Sequence, residues 1–173
     1  MAVLDIIEAP DRRLTTRSQP VERIDAELLR LLDDMLETMY AAPGIGLAAP
    51  QVGVLKRAFV ADLGEEGERA PLYVINPEIV AHSESVNVAE EGCLSLPKQF
   101  GEVARFDQIT MRYLDREGKV QEIEADGLLA RCLQHEIDHL DGILFVDHLS
   151  ALKRTMILRR LAKAKRARER ESA

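Results

Sequence analysis

The chain has 173 residues and a formal net charge of −7, with 46% hydrophobic and 31% charged residues. This length and composition are typical of one globular domain with its own core, and they exclude a disordered chain or a fibrous repeat. The first residues lack a charged lead-in followed by a long apolar run, so we expect a cytoplasmic protein without a secretory signal or a membrane span.

The N-terminal part is predicted to be an extended segment followed by a helix. Pro10 and Pro20 lie among charged residues in the stretch 2–24, which we expect to wrap around the domain. From Asp25 to about Tyr40, leucines and methionines recur with helical periodicity, and acidic residues occupy the first turn. We expect this apolar stripe to belong to the core.

The next stretch, GIGLAAPQ at residues 44–51, is rich in small residues. Its Gly-x-Gly pattern also occurs in nucleotide-binding loops. Here it follows a helix and lacks both a third glycine and a Lys-Ser/Thr pair, so a phosphate-binding loop is disfavoured. The small side chains instead allow another backbone to approach closely.

Residues 57–125 are predicted to form mainly β-strands. A turn at residues 115–118 makes the last two strands a hairpin. Several strands followed by helices indicate an α+β domain, in which a mainly antiparallel sheet packs around a central helix between an N-terminal and a C-terminal helix. The β-branched or alternating runs lie at residues 58–63, 72–76, 86–89, 109–114 and 119–123.

The central helix is predicted to carry a metal site. At about 100° per residue, His135 and His139 share one face and Glu136 lies a third of a turn away. Two neutral imidazoles can hold a divalent metal while the carboxylate handles a proton of the bound water. Asp126 is the expected N-cap, Gly142 is the expected stop, and an apolar stripe would bury the helix. The alternative is a solvated helix that contains two histidines by chance.

A catalytic site of this kind commonly has a third protein ligand. The protease pattern HExxHxxGxxH places Phe145 at that position, and His148 lies three residues too late. A downstream glutamate, the other common solution, is found only as Glu169 or Glu171 in a basic tail. Both protease patterns therefore lack their third ligand.

The two cysteines are the remaining candidates, and their number agrees with a reducing compartment. Cys132 lies on the same helix, so three Cα atoms would span roughly 10 Å of its axis, and bonds of about 2.0 to 2.3 Å cannot easily converge from such a line. Cys93 follows Gly92, which permits an unusual backbone path and an approach from across the site. We prefer Cys93 and interpret Cys132 as a buried small hydrophobe near the site.

The C-terminal region is predicted to be a short strand at residues 143–146 and a helix capped by Ser150. Residues 153–173 carry nine basic and two acidic residues, whereas the rest of the chain carries 14 basic and 28 acidic residues. Beyond Ala162 only alanines and Glu169 interrupt the basic residues as far as Arg170, so we expect the distal helix to project as a cationic rod. Such an arm can bind nucleic acid, although charge runs are often merely solvated.

Three segments together resemble the motifs of peptide deformylases. They read GIGLAAPQ at 44–51, EGCLS at 91–95 and QHEIDH at 134–139, intact and in order, and the similarity covers nearly the whole chain. Phe100 stands where several family members carry Arg, which leaves Arg105 as the nearby cation. The resemblance implies that residues 1–152 form the catalytic domain and that 153–173 are a basic helical extension of the same domain.

The resemblance implies a metal-dependent hydrolase that removes the N-formyl group from the N-formylmethionine of newly made polypeptides and releases formate. Glu136 would move the proton, while the Gln51 side chain and the Leu94 N–H would meet the oxyanion. Ile45, Gly46 and Gly92 would pair with the peptide backbone as a strand, and Cys132 would lie beside the substrate. The implied metal ligands are Cys93, His135 and His139.

The resemblance also implies a cofactor and partners. Ferrous iron would be native, with nickel or cobalt as substitutes and zinc often poorly active, although ligand affinity alone favours zinc. The partners would be nascent N-formylmethionyl peptides and, through the basic C-terminal helix, the ribosome; neither DNA nor a membrane is expected. Two other hypotheses are an ordinary metallopeptidase and a metal-stabilised RNA-binding module, and three motifs that each supply a catalytic group disfavour the second.

Overall fold

The computed structural model describes residues 2–64 and 67–172. It contains a five-stranded sheet in the order β1-β2-β3-β6-β7 and a two-stranded sheet of β4 and β5, with antiparallel pairing between all these neighbours. The predicted α+β fold is confirmed. The strands are β1 (Gly46–Ala48), β2 (Ala58–Ala61), β3 (Leu72–His82), β4 (Val86–Cys93), β5 (Leu96–Phe106), β6 (Gln108–Leu114) and β7 (Val120–Asp126), and the helices are α1 (Ala26–Ala41), α2 (Gly127–Leu140) and α3 (Ala151–Ser172).

Helix α1 begins where the sequence predicts a cap. The Asp25 carboxylate accepts a hydrogen bond from the Leu28 N–H at 2.9 Å, which satisfies one of the free donors of the first turn. The apolar stripe of the helix is buried against strands β1 and β2. Burial of this stripe stabilises the helix, since isolated helices of this length are marginal in water.

Helix α2 lies in the core, packed on the larger sheet. Ala130, Leu133 and Leu140 are fully buried in one cluster with Phe59 and Met111. This packing fixes the position of every side chain that the helix directs towards β4 and β5. Rigid placement of this kind is what a site with several converging groups requires.

The ends of α2 differ in part from the prediction. Asp126 has an extended backbone, but its side chain makes no capping hydrogen bond. The chain instead turns into the helix at Gly127, which has a φ of 54°. Gly142 ends the helix as predicted, with a φ of 75°, and a β-carbon there would lie 2.7 Å from the Thr15 carbonyl oxygen. Only glycine fits this position without strain.

Two further predictions about local structure were wrong. Strand β5 was not predicted, and it continues the chain back along β4 after the two-residue turn at 94–95. Residues 143–146 do not form a strand; Phe145–His148 is a 3-10 turn, which Asp147 stabilises by accepting from the Leu144 N–H at 2.9 Å. Gly92 has no positive φ, but the β4–β5 register shifts between Gly92 and Cys93, so the backbone is irregular there, as expected.

The N-terminal segment crosses the outside of the domain and joins two of its loops. The Ile7 N–H donates to the Gln51 carbonyl at 2.8 Å, and the Ala9 N–H donates to the Ser95 carbonyl at 2.9 Å. Further along, the Ser18 N–H bonds the last residue of α2. The segment therefore holds the loop after β1 and the β4–β5 turn in one arrangement.

Helix α3 packs on the body through one narrow apolar face. Ile157 and Leu161 are buried in a cluster with Leu14 and Phe145, and Ser150 caps the helix through the Lys153 N–H. Beyond Ala162 the basic side chains are mostly exposed, as expected, and one exposed ion pair, Arg168 with Glu8 at 2.8 Å, links the helix to the N-terminal segment. The two buried residues set a helix axis that carries the distal turns over the N-terminal segment. None of the helices among residues 2–64 and 67–172 is long and apolar enough to cross a membrane.

Candidate active site

Three metal-ligand side chains converge where α2 faces the end of β4. The Sγ atom of Cys93 lies 3.3 Å from Nε2 of His139, and the Nε2 atoms of His135 and His139 are 3.2 Å apart. All three ligand atoms lie within 4.8 Å of one another. The β4–β5 turn brings the cysteine across the helix face, while Cys132 lies outside this group.

This geometry fits a metal ion. Two ligands at about 2.1 Å from a tetrahedral ion are themselves about 3.4 Å apart, close to the spacing of the three donor atoms. Two imidazole nitrogens and one thiolate are also a donor set that divalent transition metals accept. Cys93, His135 and His139 could therefore hold a metal together, with one position left open for water or substrate.

The buried carboxylate of Glu91 orients one of these imidazoles. It accepts two hydrogen bonds from Arg105, one from Arg131 at 2.6 Å and one from Nδ1 of His135 at 2.9 Å. Burial alone would raise the pKa of Glu91, but the hydrogen bonds from Arg105 and His135 outweigh it and hold the pKa well below its usual range. An ionised carboxylate only accepts, so Nδ1 of His135 carries a proton and Nε2 is the ring nitrogen that faces the converging donors.

The same network continues from Glu91 to the surface. Arg105 also bonds Asp138 at 2.5 Å, and Asp138 bonds Nε2 of His148 at 2.8 Å. Arg105 is buried and fully engaged by carboxylates, so it does not face the cavity as a replacement for the arginine absent at Phe100. Arg105 is thus the cation near the site, as expected, but it is enclosed by Glu91 and Asp138.

Glu136 is a second buried carboxylate in very different surroundings. Its Oε2 atom has no hydrogen-bond partner among the residues that the structure describes, and burial raises its pKa to about 7. A carboxyl group poised near neutrality can both take and give a proton. A β-carbon at Gly46 would lie 2.7 Å from its Oε1 atom, so a glycine at this position makes room for the group.

The two histidines and the second cysteine respond differently to burial. Burial lowers the pKa of His139 well below its usual value, which favours the neutral imidazole that binds metals. Burial would also lower the pKa of His135, but hydrogen bonds with Cys93 and Glu91 raise it well above the usual value. Burial raises the pKa of the Cys132 thiol, so it remains protonated and behaves as a small apolar group.

The Gln51 side chain is held with its amide nitrogen towards the site. Its Oε1 accepts from the Ala48 N–H at 2.9 Å, and its Nε2 donates to Ser95 Oγ at 3.0 Å and lies 3.5 Å from Cys93 Sγ. Because the Gln51 oxygen accepts from Ala48, the amide nitrogen is the atom that faces the converging metal-ligand atoms. Leu94 lies beside it in the β4–β5 turn. The amide can thus stabilise negative charge that develops there.

A cavity of about 460 Å³ opens beside these groups. The residues expected to contact substrate all line it, and they come from the loop before β1, from β4 and from the first turns of α2. The Cys132 Sγ atom lies 3.8 Å from the Ile45 carbonyl at its base. The relevant lining residues are Ile45, Gly46, Gly92, Leu128, Arg131 and Cys132.

Sequence reasoning did not assign a role to the charged groups around Glu91. Arg131, Asp138 and His148 complete the network, yet they are separated from Glu91 by 40 to 57 positions in the chain. The role of Glu91 itself could have been inferred from the sequence. A metal-binding imidazole needs an acceptor for its other N–H, and Glu91 is a carboxylate two residues from the candidate cysteine.

Comparisons with known proteins place this chain in a family. The family described as Polypeptide deformylase matches residues 3–155. A peptide deformylase of Rhizobium meliloti (strain 1021) is 57% identical over 169 residues, covering 97% of each chain. The chain belongs to the polypeptide deformylase family. The resemblance stated from the three motifs is thereby confirmed.

Solved peptide deformylase structures agree with this fold. One from Ehrlichia chaffeensis, in complex with actinonin, has a TM-score of 0.91 and 45% identity and covers 96% of this chain and 99% of that chain. One from Legionella pneumophila has a TM-score of 0.89 and 49% identity and covers 98% and 99%. Membership of the peptide deformylase family also confirms the expected activity, the metal-dependent removal of an N-terminal formyl group from newly made polypeptides.

Proposed function

We propose that this protein carries out deformylation with Cys93, His135 and His139 as metal ligands and with Glu136 as the group that moves the proton. The observation that supports the proposal most is the convergence of three ligand atoms within 4.8 Å beside a buried carboxylate oxygen that has no hydrogen-bond partner in the described part of the chain. Metal ligands and a general base must lie this close together for hydrolysis of an amide.

When bound, the metal supplies Lewis-acid chemistry, which polarises the formyl carbonyl and makes water more acidic. Glu136 takes the proton of the attacking water at Oε2 and gives it to the leaving amine when the carbon–nitrogen bond breaks. The Gln51 amide and the Leu94 N–H donate to the oxyanion that forms on the formyl oxygen. The products are formate and a free methionine amine.

The proposed substrate contacts are made by the backbone. Ile45 and Gly46 lie on one side of the cavity and Gly92 on the other, so an extended peptide can pair with both in strand fashion. Hydrogen bonds to backbone groups do not depend on the sequence of the peptide. The first side chain would enter the cavity next to Cys132, which is apolar and buried.

For the native metal we propose Fe2+, which Ni2+ or Co2+ can replace and for which Zn2+ is the poorly active competitor. The donor set of one thiolate and two imidazoles is compatible with each of these ions. Family resemblance favours iron, whereas ligand affinity favours zinc. Air oxidation of iron beside a thiolate would lower the measured activity, so preparation without oxygen matters.

We further propose that residues 1–152 are the catalytic domain and that 153–173 are a basic extension of it that binds the ribosome in the cytoplasm. Most basic side chains of α3 are exposed, and the buried Ile157 and Leu161 anchor the helix on the body. Phosphate groups of ribosomal RNA would attract such a surface. The acidic remainder of the chain would limit binding to other RNA.

The test combines metal analysis with turnover on one sample. Protein prepared without oxygen should contain about one metal ion per chain and release formate from short formyl-Met peptides. Acetyl-Met peptides and longer blocked peptides should not be cleaved, which separates deformylation from general peptidase activity. Cleavage of internal amides without formate release would overturn the proposal.

A further inference from the structure

The mouth of the cavity carries a concentration of exposed apolar side chains. Among residues 2–64 and 67–172, ten large apolar residues are exposed, and three of them line this one cavity: Ile45 at 42%, Leu128 at 57% and Phe100 at 60%. Single exposed apolar residues are ordinary, but a group around a pocket indicates contact with a ligand. Phe100 is the only aromatic residue of these three.

The Phe100 side chain lies over β4, in the space that a side chain at Gly92 would fill. It is paired with Gly92 across the β4–β5 ladder, and a β-carbon at Gly92 would lie 2.7 Å from Cε1 of the ring. The aromatic ring therefore occupies the place where a side chain of β4 would stand. In the described part of the chain β4 pairs with β5 alone, so its other edge is open to an added strand.

The ring lies on the face of β4 that is turned away from α2. The side chain of Glu91 points towards α2, because it bonds His135 and Arg131. Successive residues of a strand point to opposite faces, so Gly92 and the ring above it belong to the other face. The cavity therefore extends around the β4 edge, with residues of α2 lining one side of it and Phe100 lining the other.

We propose that Phe100 determines specificity for the second residue of the formylated peptide and favours apolar side chains there. This inference rests on the proposed function. A peptide paired with the edge of β4 and placing its first side chain in the cavity must, by strand alternation, direct its second side chain to the side of Phe100. Arg105 is buried, so it cannot supply a competing positive charge at that surface.

Rates on matched tripeptides test this inference. The wild-type chain should show a kcat/KM about 3- to 10-fold higher for formyl-Met-Phe-Ala and formyl-Met-Leu-Ala than for formyl-Met-Asp-Ala and formyl-Met-Lys-Ala, the scale of one aromatic contact. In Phe100→Ser the ratio should approach one. Phe100→Leu should retain most of the preference, and Phe100→Arg should reverse it in favour of Asp.

Val88→Ser is the matched control. Val88 is 61% exposed on β4, the strand that pairs with the strand of Phe100, but does not line the cavity, so its substitution should leave the preference unchanged. Equal wild-type rates on all four peptides, a preference for Asp or Lys, or an unchanged preference in Phe100→Ser would overturn the inference while deformylation stands. Metal-loaded protein that released no formate from any peptide would overturn the proposed function itself, and the inference with it.

Discussion

Helices α2 and α3 are both rich in ionisable residues, but the surroundings of their charges differ. Nine of the 14 residues of α2 are buried, and these include Arg131, Glu136 and His139. In α3, which has 22 residues, only Ile157 and Leu161 are buried. The charges of α2 are held among fixed partners, while most of those of α3 remain in water.

The difference shows that the surroundings of a charged side chain determine what the charge can do. A buried charge is costly unless it is paired, so its position and protonation are fixed by the neighbours that compensate it. An exposed charge keeps its hydration and acts over a Debye length, about 8 Å at physiological salt. We therefore expect changes around α2 to alter chemistry by orders of magnitude and changes in α3 to alter only association.

The largest effect is expected from the donor that completes the metal site of α2. Cys93→Ala should lose the metal, because two imidazoles alone bind it weakly. Cys132→Ala, the matched control within α2, should keep the metal at a small cost in packing. Metal analysis of both purified variants checks this, and stoichiometric metal in Cys93→Ala would refute the assignment.

Glu136→Gln should keep the fold and the metal, since the amide has nearly the same shape and coordination does not need the carboxylate. Formate release should fall by about 10² or more, the usual scale for loss of a general acid-base group. Steady-state rates and metal content of the same preparation provide the measurement. Turnover close to that of the wild type would contradict the proposed proton transfer.

Glu91→Gln should weaken metal binding by about 10- to 100-fold, because His135 loses the acceptor that orients it. Two buried guanidinium groups also lose their carboxylate, which should destabilise the fold by about 3 to 5 kcal/mol. Urea unfolding and metal competition measure the two effects. Glu122→Gln, which breaks an exposed pair with Arg112, is the control and should cost less than about 1 kcal/mol.

The Glu91 contribution should also depend on pH with a definite sign. Its pKa is held below the unfolded value of 4.5, so the ionised carboxylate stabilises the folded state fully above pH 4.5. The contribution is lost progressively as the pH falls from 4.5 towards the folded pKa. The gap in unfolding free energy between wild type and Glu91→Gln should therefore narrow in acid, and a gap that widened there would contradict the ionised state.

Truncation after Leu161 should have the smallest effect on catalysis, because both buried anchors of α3 remain. Activity on short peptides should stay within about twofold of the full chain, while cosedimentation with ribosomes should be lost. Full-length binding should weaken steeply with added salt. Lys119→Glu, an exposed charge in the β6–β7 turn, controls for general electrostatic effects; ribosome binding by the truncated chain as strong as the intact one would contradict the proposal.

Periodicity in the sequence was sufficient for α1, α2 and the β6–β7 hairpin. Strand β5 was missed because Pro97 and Gly101 interrupt its pattern, and strand propensity depends strongly on neighbours that the local sequence does not show. The apolar run at 143–146 was assigned to a strand because short apolar runs do not distinguish a strand from a buried helical turn. Packing against α3 and the N-terminal segment decides in favour of the turn.

The candidate site followed from the sequence only as far as its motifs reach. The grouping of Cys93 with His135 and His139 could be argued from spacing and the limited reach of metal bonds. The fate of Arg105 could not, because its two carboxylate partners are 14 and 33 residues away and only the fold brings them together. Long-range pairing decides whether a charge faces a substrate or is enclosed.

The hydrogen bonds of Ile7 and Ala9 allow local opening of the structure to be measured at the N-terminal segment. Their amides bond the carbonyls of Gln51, in the loop after β1, and of Ser95, in the β4–β5 turn. A hydrogen-bonded amide exchanges with solvent only when its bond breaks. The exchange rates of these two amide protons should therefore report how often the loop after β1 or the β4–β5 turn separates from the N-terminal segment, and equal rates would indicate that both separate in one cooperative motion.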